Sequence, residues 1–427
     1  MGDVSGADVP REKVEVLIVG GGQAGLAMSE HLGAGEVPHL ILERERIAER
    51  WRSERWDSLV ANGPAWHDRF PTLEFGGFDP DGFASKEQVA DYFEAYAEKI
   101  GAPIRCGVEV TSVRRNGTGF RAETTVGTID ADYVVAATGP FQVPQIPPIA
   151  PEDPGLTQMH SSAYRNPGQL PDGGVLVVGA GSSGVQIAEE LLAAGRSVYL
   201  SVGPHDRPPR SYRGRDFVWW LGVLGQWDAE APPEGKEHVT IAVSGRDGGR
   251  TVDFRELGAR GIRLVGLTAS FDDGVVRFAS DLGENIAQGD ASYLSLLDEA
   301  DAYVERTGID LPEEPEARQL GPPPSSVTDR LVELDLAEAG VTSIVWATGF
   351  RIDYSWLQVD AFDATGAPRH RRGVSSEPGV YFLGLPWLSR RGSSFIWGVW
   401  HDARYLADQI AIQRAYRAYR PRSLTTA

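Results

Sequence analysis

Three glycines in the stretch VEVLIVGGGQAGLAMSEHL, residues 14–32, constrain this chain more than any other feature. Gly20, Gly22 and Gly25 follow a strand-like apolar run (Val16, Leu17, Ile18, Val19), and a helical pattern begins with Gln23 and Ala24. In the G-x-G-x-x-G pattern the first glycine makes a tight turn and the second lets backbone approach a pyrophosphate. The third lets helix and strand pack closely. The helix start then offers free N–H groups and a positive dipole end to phosphate. The next apolar run, HLILE, delivers Glu43 with Arg44 beside it. A carboxylate there is suited to accept hydrogen bonds from a ribose. Dinucleotide binding in a parallel α/β fold is the expectation.

The pattern recurs. GGVLVVGAGSSGVQIAEELLAAGRSVYLSVG places Gly179, Gly181 and Gly184 after a second apolar run, with Ser182 and Ser183 opening the helix. Its returning strand ends at Ser201, and residues 200–203 hold no carboxylate. The loop beyond carries Arg207, Arg210, Arg213 and Arg215. A missing acid with arginines nearby favours a 2′-phosphate, hence NADP(H) over NAD(H), with Arg207 and Arg210 as candidate ligands. Two further strands end alike, one at Thr138-Gly139 and the other at Ala347-Thr348-Gly349. An internal duplication is therefore expected: two Rossmann-like dinucleotide-binding domains, the second inserted into the first. Residues 1–164 and 342–427 would form the first, and 165–341 the second, with an acidic helical insert at about 281–330. Side-by-side nucleotide sites imply electron transfer between cofactors, because hydride transfer needs the two rings in contact.

Composition excludes several alternatives. Cys106 is the only cysteine, so neither a disulfide framework nor a C-x-x-C redox pair is available, and no metal site is expected. No apolar run approaches the roughly 20 residues of a membrane span. Residues 1–13 are polar and read as a frayed tail, and a cytoplasmic location is expected. The net charge of −19 is concentrated in residues 281–316, where 11 acids face one base, and this reads as a solvated face. Residues 390–422 are basic, yet no basic stripe with interleaved aromatics suggests nucleic acid. Six prolines in residues 140–154 mark a stiff crossing between domains. The segment ERIAERWRSERWDSLVANGPAWHDRF contains Trp51, Trp56 and Trp66 among arginines, which suits an aromatic ligand bearing phosphates or, residue by residue, a plain core. Residues 83–100 read as a helix capped by Ser85, residues 261–280 as antiparallel strands around Asp272-Asp273-Gly274, and residues 292–306 as a helix.

The paired glycine motifs, both ATG ends and the intervening HSSAYRNP resemble the flavin-containing monooxygenases, the class B two-dinucleotide-domain flavoproteins. The likeness runs over roughly residues 14–412. It implies FAD on the first motif and NADPH (NADP+) on the second. In that family a fingerprint F-x-G-x-x-x-H-x-x-x-[Y/F] lies between them. His160 and Tyr164 match it, whereas Pro154 and Leu156 depart from it. The resemblance carries a flavin-facing catalytic role to Asn62 of Asn62-Gly63-Pro64, which reads equally as a turn. His160 is read as a structural residue of the crossing or as a proton donor. Gly384, in YFLGLPW, would allow close approach to FAD, and backbone N–H groups at Ser394 and Phe395 would face the flavin's pyrimidine edge. Trp397 and Trp400 would wall the substrate side or belong to the core.

The implied activity is an NADPH-dependent FAD monooxygenase. NADPH reduces the flavin, O2 adds at C4a to form a (hydro)peroxyflavin, and one oxygen passes to a small organic substrate. N- or S-oxygenation and oxidative decarboxylation of an indole-pyruvate-like acid are both compatible. The alternatives are a non-oxygenating NAD(P)H-dependent flavin reductase, Baeyer–Villiger oxygenation of a ketone, and a non-catalytic nucleotide-sensing flavoprotein. The expected partners are a small-molecule substrate and O2, with homodimerisation allowed for.

Overall fold

The structure is a computed structural model and describes residues 11–230 and 240–420. Its first lobe grows from strand β1 (Arg11–Val19), helix α1 (Gln23–Ala34) and strand β2 (His39–Glu43). β1 and β2 are parallel, with Val16 opposite His39 and Val19 opposite Leu42. Val16, Leu17 and Ile18 are fully buried, as strands covered on both faces must be. Residues 11–13, read from sequence as tail, instead open β1 and pair with residues 128–130; residues 1–10 lie outside the described residues.

A short helix α2 (Glu49–Ser53) and a longer α3 (Lys86–Lys99) follow. Ser85 caps α3 in a capping box with Gln88, as its sequence position predicts. Strands β3 (Ile104–Cys106), β4 (Val110–Asn116), β5 (Gly119–Thr124) and β6 (Gly127–Ala136) complete the first part of the sheet. The order runs residues Leu357–Gln358, β4, β5, β6, β1, β2, β3, and Val380–Phe382 joins β6 in parallel. The long helix Ile396–Ala418 packs on α1, and Trp400 meets His31 edge-on at 4.3 Å between ring centroids.

The crossing enters through β7 (Val143–Pro144) and reaches β8 (Thr157–His160). Then come β9 (Gly174–Val178), α4 (Ser182–Ala193) and β10 (Val198–Ser201). The second sheet is wholly parallel, in the order Arg263–Val265, β10, β9, Val341–Trp346, β8. Strand pairing therefore moves residues 157–160 and 342–346 into the second lobe, although sequence grouped 1–164 with 342–427. The two chain crossings pair with each other, β7 lying antiparallel to Phe350–Arg351. Residues Arg263–Val265 belong to this parallel sheet, so only Thr268–Asp272 and Val275–Phe278 form the expected hairpin.

The acidic stretch becomes one helix, Leu282–Thr307, starting earlier than its apolar spacing suggests. It is not merely a solvated face. Asp290 is buried between Arg207 and Arg255, and Asp301 takes Arg213, Arg318 and the Tyr212 hydroxyl.

Candidate active site

Both glycine turns are built alike. Gly20 and Gly179 have φ of +113° and +105°, and a Cβ on either would lie 2.6 or 2.5 Å from the carbonyl oxygen of Ala137 or Ala347. A Cβ on Gly25 or Gly184 would lie 2.0 or 1.8 Å from the carbonyl oxygen of Gly20 or Gly179. Each third glycine thus lets a helix rest on its own turn. The two ATG ends explain themselves here: Ala137 and Ala347 press against the first glycine of their own lobe.

What lies in front of each turn differs. A Cβ on Gly22 would meet no atom within 4 Å, because the turn faces an elongated cavity of 520 Å³. That size falls in the range of about 300–1,000 Å³ common for cofactor pockets. Gly20, Gly22, Gln23, Ala24, Glu43, Arg44, Trp51, Thr138, Gly139, Gly384 and Ser394 all line it. Glu43 accepts the Gly21 N–H at 2.7 Å and the Glu45 N–H at 3.0 Å. Each carboxylate oxygen keeps a lone pair for a ribose. Gln23 donates to the Ser394 carbonyl at 2.8 Å, which ties the start of α1 to the last turn before the C-terminal helix. The Phe395 N–H is spent on the Gly392 carbonyl and cannot serve a ligand.

A second cavity, 180 Å³, shares Trp51, Arg55 and Phe141 with the first. Its far wall is the N-terminus of α4, represented by Ser182 and Ser183, and Asn62 lies on its lining. Gln186 donates to Asn62 Oδ1 at 3.0 Å, and Arg210 donates to the Asn62 carbonyl at 2.7 Å. With its oxygen held from α4, the Asn62 amide presents its N–H pair as the donor left for a ligand. Gly181 begins α4 in extended backbone, and the Ser182 hydroxyl ties the helix start to Ile241 and Val243. Residues 241–244 thus run alongside this cradle, and the cleft in front of it is narrower than its counterpart.

Several sequence-based site assignments are corrected. Arg207 is 2% exposed, gripped twice by Asp290 at 3.0 and 2.6 Å and stacked over Tyr293. Arg210 is 4% exposed and bound by both oxygens of Asp216, at 2.6 and 2.7 Å, between the rings of Phe83 and Phe217. Neither is available to a 2′-phosphate. Ser201 is buried and spends its hydroxyl on the Gly266 carbonyl and Thr268. Ala347, Thr348 and Gly349 line neither cavity; Thr348 donates to the Gln145 carbonyl, and the Gly349 carbonyl meets His160 Nε2 at 2.9 Å. With His160 Nδ1 at 3.0 Å from Ser162 Oγ and burial lowering its pKa, His160 is a neutral brace of the crossing. Trp400 packs in the first core, and Trp66 and Trp397 close around His67, each at 5.4 Å between centroids.

Sequence reasoning did not single out Arg55, Phe141 or Gln186. Arg55 sits in the tryptophan- and arginine-rich stretch already noted, while Gln186 shares a face of α4 with Ser182, one helical turn earlier. Among the described residues no group of three or more His, Cys, Asp or Glu side chains is placed to hold a metal ion.

Comparison with known proteins agrees with this geometry. A family profile described as pyridine nucleotide-disulphide oxidoreductase matches residues 17–214. An uncharacterized CzcO-like oxidoreductase from Geobacillus kaustophilus is 36% identical over 401 residues, covering 93% of this chain and 98% of that protein. The indole-3-pyruvate monooxygenase YUCCA1 from Oryza sativa is 33% identical over 195 residues, 44% of this chain and 47% of that protein. The fold is that of a flavin-containing monooxygenase from Stenotrophomonas maltophilia, with a TM-score of 0.65 at 20% identity, covering 95% of this chain and 100% of that one.

Proposed function

The chain belongs to the CzcO-like oxidoreductases, and on that premise we propose an FAD-dependent, NADPH-oxidising monooxygenase acting on a small organic molecule with O2. One observation carries the reading: the first glycine turn lines one cavity, the start of α4 behind the second turn lines another, and the two cavities share Trp51, Arg55 and Phe141. A flavin in the larger cavity and a nicotinamide in the smaller would meet there, as hydride transfer demands.

The residues suit that task. Open space before Gly22, the α1 N-terminus and Glu43 fit the pyrophosphate and ribose of FAD. Bound FAD supplies the hydride acceptor and the site of oxygen activation. The chain itself orients and shields. Asn62, fixed by Gln186 and Arg210, aims an amide donor into the junction, and Trp51, Trp56 and Phe141 limit water there. The sequence has one cysteine, Cys106, so no redox-active dithiol–disulfide pair can form within it.

Stopped-flow mixing of the NADPH-reduced protein with O2 tests the reading. A transient spectrum distinct from both oxidised and reduced flavin, prolonged by NADP+ and shortened in Asn62→Ala, supports it. Immediate return of oxidised flavin with stoichiometric peroxide refutes it and supports a non-oxygenating reductase. That second reading draws on Pro154 and Leu156, where the sequence departs from the monooxygenase fingerprint; Leu156 is spent in the core of the second lobe. Amines, sulfides and 2-oxo acids are the substrate classes to screen first, ketones next.

A further inference from the structure

Arg55 sits deep in the wall between the two cavities, and its remaining accessible surface faces them. Among the described residues its guanidinium makes one hydrogen bond, from Nη1 to the Glu54 carbonyl at 2.8 Å. The Glu54 carboxylate is taken by Arg50, and Asp57 by Lys86 and Asn166. The guanidinium carbon stands 6.0 Å from the Trp51 ring centroid and 5.4 Å from that of Phe141. Behind it, Arg165 donates only to carbonyls, those of Ser162, Tyr164 and Ser53. Burial chiefly, and then the charges of Arg50 and Arg165, lower the Arg55 pKa to about 10 against the opposing pull of the Glu54 carboxylate.

In a chain of net charge −19, the guanidinium groups of Arg50, Arg55 and Arg165 outnumber the one carboxylate acting on Arg55, that of Glu54, which also lines the smaller cavity. A guanidinium withdrawn from water without a carboxylate is costly unless an anion meets it. The smaller cavity shows where such an anion would lie. Lining the same cavity as Arg55 are Ser182 and Ser183 at the start of the twelve-residue helix α4, whose first N–H groups lack intrahelical partners. Arg207 and Arg210, the first two arginines after β10, are committed to Asp290 and Asp216.

We propose that Arg55, a residue of the first lobe, grips the pyrophosphate of the nicotinamide dinucleotide held on the second. Docking of the hydride donor is then completed by a charge beside the flavin cavity. The assignment rests on the functional reading above, and the test separates the two.

The full-length FAD-loaded protein is titrated with NADP+, following the flavin spectrum and equilibrium dialysis, at low and moderate NaCl. Arg55→Ala is expected to weaken NADP+ binding by about tenfold or more, the scale of charge-assisted hydrogen bonds. It should leave the FAD content unchanged and flatten the salt dependence. Inorganic pyrophosphate should displace NADP+ from the native protein more readily than from the variant. Arg55→Lys should recover part of the affinity, since the charge remains and the fork is lost. Unchanged NADP+ affinity in a folded Arg55→Ala or Arg55→Lys protein overturns the assignment. So does loss of FAD with NADP+ binding retained, which gives the charge to the flavin instead. A yellow native protein that binds no NADP+ overturns the functional reading, and this assignment with it.

Discussion

The two lobes carry glycine turns of like geometry, yet the first lines a cavity of 520 Å³, whereas only the helix start behind the second, Ser182 and Ser183, reaches a cavity of 180 Å³. The turn itself is local. It needs a strand, a positive φ at the first glycine and a bare third glycine, and both lobes supply these within six residues. The space in front of it is not local. In the first lobe β2 ends on Glu43, which folds back onto the turn and leaves the cavity free. In the second, β10 ends on a buried Ser201, and residues 241–244 lie beside the helix start. A cradle is therefore a property of a few residues, whereas a binding site is a property of whatever the chain later lays over that cradle.

Paired substitutions at the second glycine of each motif should separate the lobes most sharply. Gly22→Val places its side chain in open space, so the protein should fold and purify colourless. Gly181→Val should stay yellow and lose NADP+ binding. Absorbance near 450 nm and NADP+ titration read both; a stoichiometrically flavinated Gly22→Val would break the contrast. Next comes Asp290→Ala, which strands Arg207 and weakens the hold on Arg255. Breaking a buried pair costs about 3–5 kcal/mol, read as a lower urea midpoint. The double change Arg207→Ala and Arg210→Ala should likewise reduce stability while leaving the NADPH-to-NADH preference within about twofold, because neither guanidinium is exposed to meet a phosphate. A clear fall in that preference would return these arginines to the cofactor.

Acid should produce the smallest effect and strike both lobes. Burial lowers the pKa of His31, His39, His370 and His401 in the first lobe and of His160 and His205 in the second. A histidine whose folded pKa is depressed binds its proton more readily when unfolded, so stability falls as pH drops below the ordinary value near 6.5. Asp290 and Asp301 lie below the usual carboxylate range, and their ion pairs persist to about pH 4. Melting temperature should hold above pH 7 and decline between about pH 6.5 and 5. A flat profile across that interval would show that these histidines gain partners on acidification.

Much of the architecture was legible because it rests on short-range pattern. The glycine turns, the Ser85 cap and the Asp272–Gly274 hairpin each depend on residues a few positions apart. The misreadings share one cause, which is distance along the chain. Arg207 looked free until Asp290, 83 positions later, closed on it. Residues 342–346 looked like part of the first lobe until they paired with β8 and β9. Asn62 was named from resemblance to a family segment, and its orientation depends on Gln186, 124 positions away.

From the sequence alone came two glycine-rich turns between strand and helix, the acid that closes only the first, and the absence of a cysteine pair, because each depends on residue type and near spacing. Only the tertiary structure decided which arginines are neutralised by carboxylates and that Arg55 lines both cavities without an ion pair of its own among the described residues. Charge has meaning through what faces it in space, and no local pattern records that.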